Sequence, residues 1–281
     1  MPMSPAAPGR RLPGDAAGWV ALWRDAELPV LAESAAQLEE FREHEDDVDA
    51  RILSEAFAAD PLMRLKLLVY TSRRASSRRL TDAETVTAAL VMTGIGPFFR
   101  AFGPQPEVTQ WLAGQAPAQA GLGAVLRRAR RAAGFAFGFA LQRGDDDAAL
   151  IHEAALLHDF AEMLLWCHAP ALALEITRRQ QADPTLRSAR VQLELLNAEL
   201  ADVQQGLMKA WRLPELLVRI SDDRHADTAQ VKNVLLAIRL ARHTARGWDN
   251  AALPDDVHEL SALLNLGTEP TLKLLHELDE G

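Results

Sequence analysis

Two stretches decide the fold: Ala154-Ala155-Leu156-Leu157-His158-Asp159-Phe160 and Met208-Lys209-Ala210-Trp211-Arg212-Leu213-Pro214-Glu215. In the second, Leu213-Pro214-Glu215 indicates the start of a new helix after Trp211. On either side of both stretches, apolar residues recur at helical spacing and strand signals are almost absent. The sequence therefore predicts an all-α fold. We expect Trp211, Leu213 and Pro214 to fix a helix junction, with the indole buried against the helix that carries Leu156 and Leu157.

These stretches carry a resemblance to a known family. The first resembles the small-residue, Leu-Leu-His-Asp segment of the HD superfamily, and the second is similar to the Trp-x-Leu-Pro-Glu segment of HDOD (HD-related output domain) proteins. A third, Ile52 to Ser72, resembles the Asp-Pro-x-Leu-x-x-x-Leu-Leu helix of the HDOD N-terminal half. The resemblance covers roughly Leu28 to His225. It implies a compact, multi-helix HD-like fold and a regulatory role, often in bacterial signal transduction.

Composition and charge limit the classes of function. The chain has 281 residues, 48% of them hydrophobic, and a net charge of −9. An acidic protein is a poor partner for a phosphate backbone, so we expect no nucleic acid as partner. The single cysteine, Cys167, fits a reducing compartment but would also fit a cysteine-poor exported protein, and the N-terminal segment does not resemble a signal peptide. Charges interrupt every apolar stretch, so we expect no membrane span and a cytoplasmic location.

Proline and glycine positions suggest the organisation of the chain. We expect a disordered tail over 1–14, an N-terminal helical subdomain over 15–115, and an HD-like subdomain with a C-terminal helical extension over 116–281. The boundary rests on the stretch from Gly114 to Gly123, which is rich in Gly, Pro, Ala and Gln and is interpreted as a connection. A long helix is predicted to follow it, from roughly Leu122 to Arg143.

Three helix starts are predicted from capping residues. Asp60 before Pro61, and Asp183 before Pro184, each combine an N-cap side chain with proline at the first helical position. The segment Thr81 to Glu84 fits a capping box, and its helix is expected to run toward Gly94.

His158 and Asp159 are the candidate remnants of a metal site. The resemblance implies metal-assisted hydrolysis of phosphate esters as the ancestral chemistry, which needs several His and carboxylate ligands. It also implies a His on the preceding long helix, where this chain has arginines, and a His before Trp211, where it has Leu200. After Ile220, where relatives often have paired histidines, the chain reads Asp222-Asp223-Arg224-His225. We therefore expect no complete metal site, no cofactor and no enzymatic activity.

Arginine is the predicted replacement for the metal. Arg127, Arg130 and Arg131 lie about where the missing His would project, and we choose Arg130 as the partner of Asp159, because a buried carboxylate needs a compensating charge. The plainer interpretation of His158 and Asp159 is that they are structural remnants satisfied within the helical core, and the other is a weak ligand or partner site. The other histidines, such as His168 and His243, share no ligand spacing and are assigned to no site.

A second candidate site is a basic loop. Arg73, Arg74, Arg78 and Arg79 flank two serines between predicted helices, which suits an acidic partner or a phosphate group, although a solvated loop is the plainer interpretation.

The favoured function is a non-enzymatic signal-transduction or protein-interaction module whose partner is another signalling protein. The alternative is a residual metal-dependent phosphohydrolase or a (cyclic) nucleotide-binding protein. The sequence leaves a homo-oligomer open.

Overall fold

The computed structural model describes residues 12–75, 85–183 and 185–280, without the side chains of residues 74 and 75. Within these ranges the chain forms α-helices joined by turns, and extended pairing is confined to isolated bridges such as that of Val30 with Glu107. The predicted all-α fold is confirmed. The helices are α1 (Ala16–Trp23), α2 (Ala32–Glu43), α3 (Ala50–Ala56), α4 (Pro61–Ala75), α5 (Val86–Thr93), α6 (Ile95–Ala101), α7 (Val108–Trp111), α8 (Ala116–Arg143), α9 (Ala148–Leu157), α10 (Phe160–His168), α11 (Pro170–Ala182), α12 (Ser188–Leu196), α13 (Leu200–Ala210), α14 (Glu215–Ile220), α15 (Ala229–His243), α16 (Leu253–Leu264) and α17 (Thr268–Glu280).

Contacts between helices divide the chain into two compact units. The first comprises Met1–Val125 and Asp159–Pro214, and the second comprises Leu126–His158 and Glu215–Gly281. In the first unit α1 packs on α13 and α10 packs on α11, whereas in the second α15 packs on both α9 and α16. This division differs from the predicted boundary near residue 115, because both units are built from segments that are distant in sequence.

The predicted connection from Gly114 to Gly123 is wrong, since α8 begins at Ala116. Gly114, with φ +76°, lies in the turn before the helix. Gly121 lies inside the helix, where an added Cβ would be 2.3 Å from the Trp166 ring. Glycine is favoured both in linkers and where two elements pack closely. The sequence pattern therefore did not distinguish the packed Gly121 from a linker glycine.

Asp60 begins α4 as predicted. Its Oδ1 accepts hydrogen bonds from the Leu62 and Met63 amides at 2.9 and 3.1 Å. Its Oδ2 accepts from the Leu31 amide at 2.8 Å, which fixes the segment before α2 against the start of α4. Burial raises the pKa of Asp60, although these hydrogen bonds oppose the shift. One carboxylate thus caps its own helix and fastens a segment distant in sequence.

Asp183 does not begin a helix, which corrects the second predicted start. It caps the C-terminus of α11, and its Oδ1 accepts from the Thr185 amide at 3.0 Å and from the Thr185 hydroxyl at 2.6 Å. The next helix starts only at Ser188. The carboxylate therefore closes a local turn, which competes with helix capping for the same side chain.

Some predictions fall on residues that the structure does not describe. The capping box from Thr81 to Glu84 and Pro184 lie outside the described ranges, as does most of the predicted tail over 1–14. The helix expected after the capping box begins at Val86 and is capped by Thr85, whose Oγ1 accepts from the Ala88 amide at 3.3 Å.

Trp211 forms the predicted junction after α13. Its side chain is buried, its Nε1 donates to the Arg24 carbonyl at 2.7 Å, and its ring lies 5.6 Å from that of Phe160. Arg212 follows with φ +56°, which turns the chain so that the Leu213 amide donates to the Met208 carbonyl at 3.0 Å. The predicted burial of the indole is confirmed, but its ring partner is the first residue of α10 and does not belong to α9, the helix that carries Leu156 and Leu157.

Candidate functional site

His158 and Asp159 lie at a helix junction. Helix α9 ends at Leu157 and α10 begins at Phe160. His158 is the C-cap of α9 and Asp159 is the N-cap of α10. Apolar residues continue through the junction, so hydrophobic periodicity gives no sign of the break.

His158 is held by a carboxylate from the segment after α14. Its Nε2 lies 2.9 Å from Asp223 Oδ1, and 12% of the histidine side chain is exposed. Asp223 begins a short 3-10 turn, Asp223–His225. Asp222 caps this turn and accepts hydrogen bonds from both the backbone amide and the side chain of Arg224. Burial acts to raise the pKa of Asp222, but the hydrogen bonds from Arg224 lower it overall.

The identity of this partner was missed by sequence reasoning. That reasoning looked in the same segment for a second histidine and found His225. The structure instead brings Asp223 to His158. Asp223 lies in the segment where paired histidines were expected, but only His225 there has the expected residue type.

A cavity of about 500 Å³ opens beside His158 within the second unit. Three cations, two histidines and two carboxylates line it together with small and aliphatic side chains: His158, Asp223, Ala226, Lys232, Leu235, Leu236, Ile238, Arg239, Arg242, His243 and Glu259. Most of this lining comes from one face of α15. The volume falls within the range of small-molecule sites in proteins.

A second histidine of the cavity is also fastened to a carboxylate. His243 Nδ1 lies 2.5 Å from Oδ2 of Asp256, which is almost fully buried on α16. Oδ1 of the same carboxylate lies 2.7 Å from Arg239, and Arg239 also reaches Glu259 at 2.7 Å. Sequence analysis assigned His243 to no site, because its partner, Asp256, comes from another helix.

Other groups occupy positions where the resemblance implies metal ligands. Leu200 is buried in the first unit. Arg131 donates to both oxygens of Asp279 at 2.8 and 2.9 Å and to the Thr244 hydroxyl at 2.9 Å. Within the described ranges, no group of three or more His, Cys, Asp and Glu side chains is placed to hold a metal ion.

The pairing of Arg130 with Asp159 stays a prediction. The neighbouring Arg131 pairs with Asp279. A double-mutant cycle on Arg130 and Asp159 tests the pair directly, because only coupled side chains give a non-additive loss of stability.

The basic loop is described only at its first residue. Arg73 Nη2 donates to the Arg24 carbonyl at 2.6 Å and lies 3.1 Å from Asp25 Oδ1. It lines a cavity of about 550 Å³ in the first unit, together with Tyr70 and Trp211. The Arg74 side chain, Arg78 and Arg79 lie outside what the structure describes, and their docking role stays a prediction.

Known proteins share this sequence pattern and this fold. A family model described as HDOD domain matches residues 28–226. The MmoQ response regulator from Methylococcus capsulatus is similar in structure, with a TM-score of 0.66 and 17% identity over 90% of this chain and 99% of that chain. A virulence factor from Campylobacter jejuni has a TM-score of 0.64 and 16% identity over 94% and 98% of the respective chains. At these identities the two structures show a common fold alone.

A search of curated protein sequences gives no significant match. No helix in the described part of the chain combines the length and the apolar character needed to cross a bilayer.

Proposed function

This chain belongs to the HDOD domain family, and we propose that it is a non-enzymatic signalling protein that acts by binding another protein. The observation that carries the proposal is the state of His158, whose Nε2 is engaged by Asp223 at the edge of a cavity rich in cations. A ring nitrogen that donates to a carboxylate oxygen carries a proton, so while this hydrogen bond is in place Nε2 has no lone pair to offer a metal.

The long helix supports the same interpretation. Where the resemblance implies a ligand, Arg131 makes a two-pronged ion pair with Asp279 on α17. Guanidinium has no lone pair to offer a metal, and its fixed charge repels one. The ion pair contributes to the packing of the second unit, so we infer that the scaffold has been retained for its surface.

Residual hydrolysis is the second candidate, and one observation favours it. His158 and Asp159 are both retained at the junction of α9 and α10, and His158 borders a cavity. Metal ligation through Nε2 would require His158 to release Asp223.

The proposal places the protein in the bacterial cytoplasm. Cys167 is buried, and burial raises the pKa of its thiol to about 12, so this thiol stays protonated and inert. A single cysteine with no second cysteine to pair with is consistent with a reducing compartment.

A hydrolysis assay tests the proposal. The purified full chain is incubated with bis(p-nitrophenyl) phosphate and with Mn²⁺, Mg²⁺, Fe²⁺ or Zn²⁺, and its bound metal is measured separately. We expect no metal-dependent turnover. Metal-dependent turnover that disappears in His158→Ala but survives in His258→Ala, a change at an exposed histidine outside the cavity, would establish the hydrolase instead.

A further inference from the structure

Helix α8 has a narrow exposed strip within the second unit. From residue 127 to residue 143 its exposed residues are Arg127, Arg130, Gly134, Phe137, Leu141 and Gln142, and the others are buried or half-buried. The first five follow one another at intervals of three, four, three and four residues. This is the spacing of the seam along which two paired helices meet. These five positions, which we call the α8 seam, are therefore placed for contact with another helix.

The C-terminal half of the α8 seam is apolar. Phe137 is 38% exposed and Leu141 is 59% exposed. Residues four apart on a helix are neighbours, so the two side chains form one apolar surface. The Phe137 ring meets the His152 ring edge-on, with 5.9 Å between the ring centres. At Gly134, by contrast, no neighbouring atom lies within 4 Å of the position that a Cβ would take. The seam thus offers an exposed aromatic ring and, one turn before it, an open space.

Charge changes sign from one end of the α8 seam to the other. Arg127 begins the seam, and Asp146 lies in the turn that follows Gly144, where α8 has ended. Both side chains are exposed, and neither has an ion-pair partner within the described ranges. The neighbouring Asp145 is paired with Arg143 at 2.9 Å. The carbonyl end of a helix adds partial negative charge. The seam is therefore positive where it begins and negative where it ends.

We propose that the α8 seam pairs with the α8 seam of a second copy of this chain, in antiparallel orientation, to form a symmetric dimer. When the two-fold axis passes between residues 135 and 136, Gly134 of each copy faces Phe137 of the other. Each phenyl ring then fills the open space over a glycine. Because the contact is isologous, this packing occurs twice. One surface supplies both the ring and the space, so a second copy complements it.

The charges favour the antiparallel orientation. In this register Arg127 of each copy faces Gly144 of the other, close to Asp146 and to the negative end of that helix. Helical side chains lean toward the N-terminus of their own helix, which directs Arg127 toward the turn after Gly144 of the second copy. A parallel pair would instead place Arg127 against Arg127, Phe137 against Phe137 and one open glycine against the other. The antiparallel pair matches both the charges and the shape.

The length of the α8 seam limits the strength of the dimer. From Arg127 to Gly144 the helix rises about 25 Å. A single helix pair of this length buries less surface than a standard stable interface, so we expect a weak dimer that forms at high concentration. The inference is independent of the proposed function, because neither the absence of hydrolysis nor the binding of another protein enters it.

Sedimentation equilibrium of the full chain tests the dimer. Measured from about 5 to about 500 µM, the mean mass should rise from that of a monomer toward that of a dimer. Phe137→Ser and Leu141→Glu should each raise the dissociation constant roughly tenfold or more, because each removes apolar contact at the centre of the interface. Leu193→Glu is the matched control. Leu193 is 49% exposed on α12 in the first unit, and its replacement should change the dissociation constant less than about twofold.

A charge exchange tests the orientation. Arg127→Glu and Asp146→Arg should each raise the dissociation constant about threefold or more, since each places like charges together at both ends of the interface. The double variant restores opposite charges and should return to within about twofold of the unaltered chain. Circular dichroism verifies that each variant is folded. Where one is not, the remaining variants decide the matter, because they alter different positions of the same seam.

Three results would overturn the proposal. The first is a chain that stays monomeric at about 500 µM. The second is a dimer that both Phe137→Ser and Leu141→Glu leave intact, which would place the contact on another surface. The third is a double charge variant that dimerises more weakly than either single variant, which would exclude the antiparallel pairing. The hydrolysis assay decides the proposed function separately, since metal-dependent turnover bears on His158 and leaves the α8 seam unaffected.

Discussion

Replacing Trp211 by alanine should lower the free energy of unfolding by about 3–5 kcal/mol, the usual cost of truncating a large buried aromatic side chain. The side chain is 2% exposed, so almost all of its surface is lost from the core. Its hydrogen bond to the Arg24 carbonyl is lost as well, at a net cost of about 0.5–1.5 kcal/mol within that range. The carbonyl keeps the Arg73 guanidinium as a donor, so no buried acceptor is left without a partner.

Chemical denaturation measures this loss. Urea unfolding is followed by far-ultraviolet circular dichroism and by tryptophan fluorescence, because a chain with two compact units need not unfold in one step. Trp248→Ala is the control. Trp248 is half-buried, with its Nε1 3.1 Å from Asp279, and should cost about 1–2 kcal/mol.

The outcome separates a core junction from a surface one. A loss below about 1 kcal/mol for Trp211→Ala would refute the argument, since it would mean that the indole contributes no more than an exposed side chain. A loss equal to that of Trp248→Ala would also contradict it.

Three further predictions test other parts of the fold. Gly121→Ala should destabilise the protein, because the new Cβ collides with the indole packed on it, whereas Gly134→Ala, with no atom within 4 Å, should stabilise α8 by about 0.5–1 kcal/mol; thermal unfolding compares the two. Burial lowers the pKa of His168 from 6.5 to about 4, so between these pH values the unfolded chain binds a proton that the folded chain does not. Stability should therefore fall by up to roughly 3 kcal/mol as pH drops through that window, and His168→Gln should remove this part of the pH dependence. Alanine at Arg131 and at Asp279 should show a coupling of about 1–2 kcal/mol in a double-mutant cycle, and additive losses would contradict the ion pair.

Helices and their local caps could be predicted from the sequence where partners lie within one or two turns. Asp60 caps α4 because its acceptors meet amides two and three residues later, and the Trp211 junction follows from the proline that comes after it. Asp183 shows the limit of this logic, since two local hydrogen-bonding patterns compete for one carboxylate. The order of the three matching stretches was enough to indicate the HDOD fold.

The candidate site could not be predicted in the same way. His158 and Asp223 are 65 residues apart, and the cavity draws its lining from α15, α16 and the turn before them. From the sequence, Gly121 was interpreted as part of a connection. Only the structure shows that the Trp166 ring packs against it.

The sequence by itself determined the all-α class, most helix positions and the family, because helical hydrogen bonds and caps join residues that are close along the chain. The partner of His158, the burial of Asp256 behind His243 and the cationic cavity of α15 were decided only by the tertiary structure. Each depends on which helices pack against each other. This packing is determined by apolar surfaces that look alike in many sequences, so the sequence pattern does not identify the partner helix.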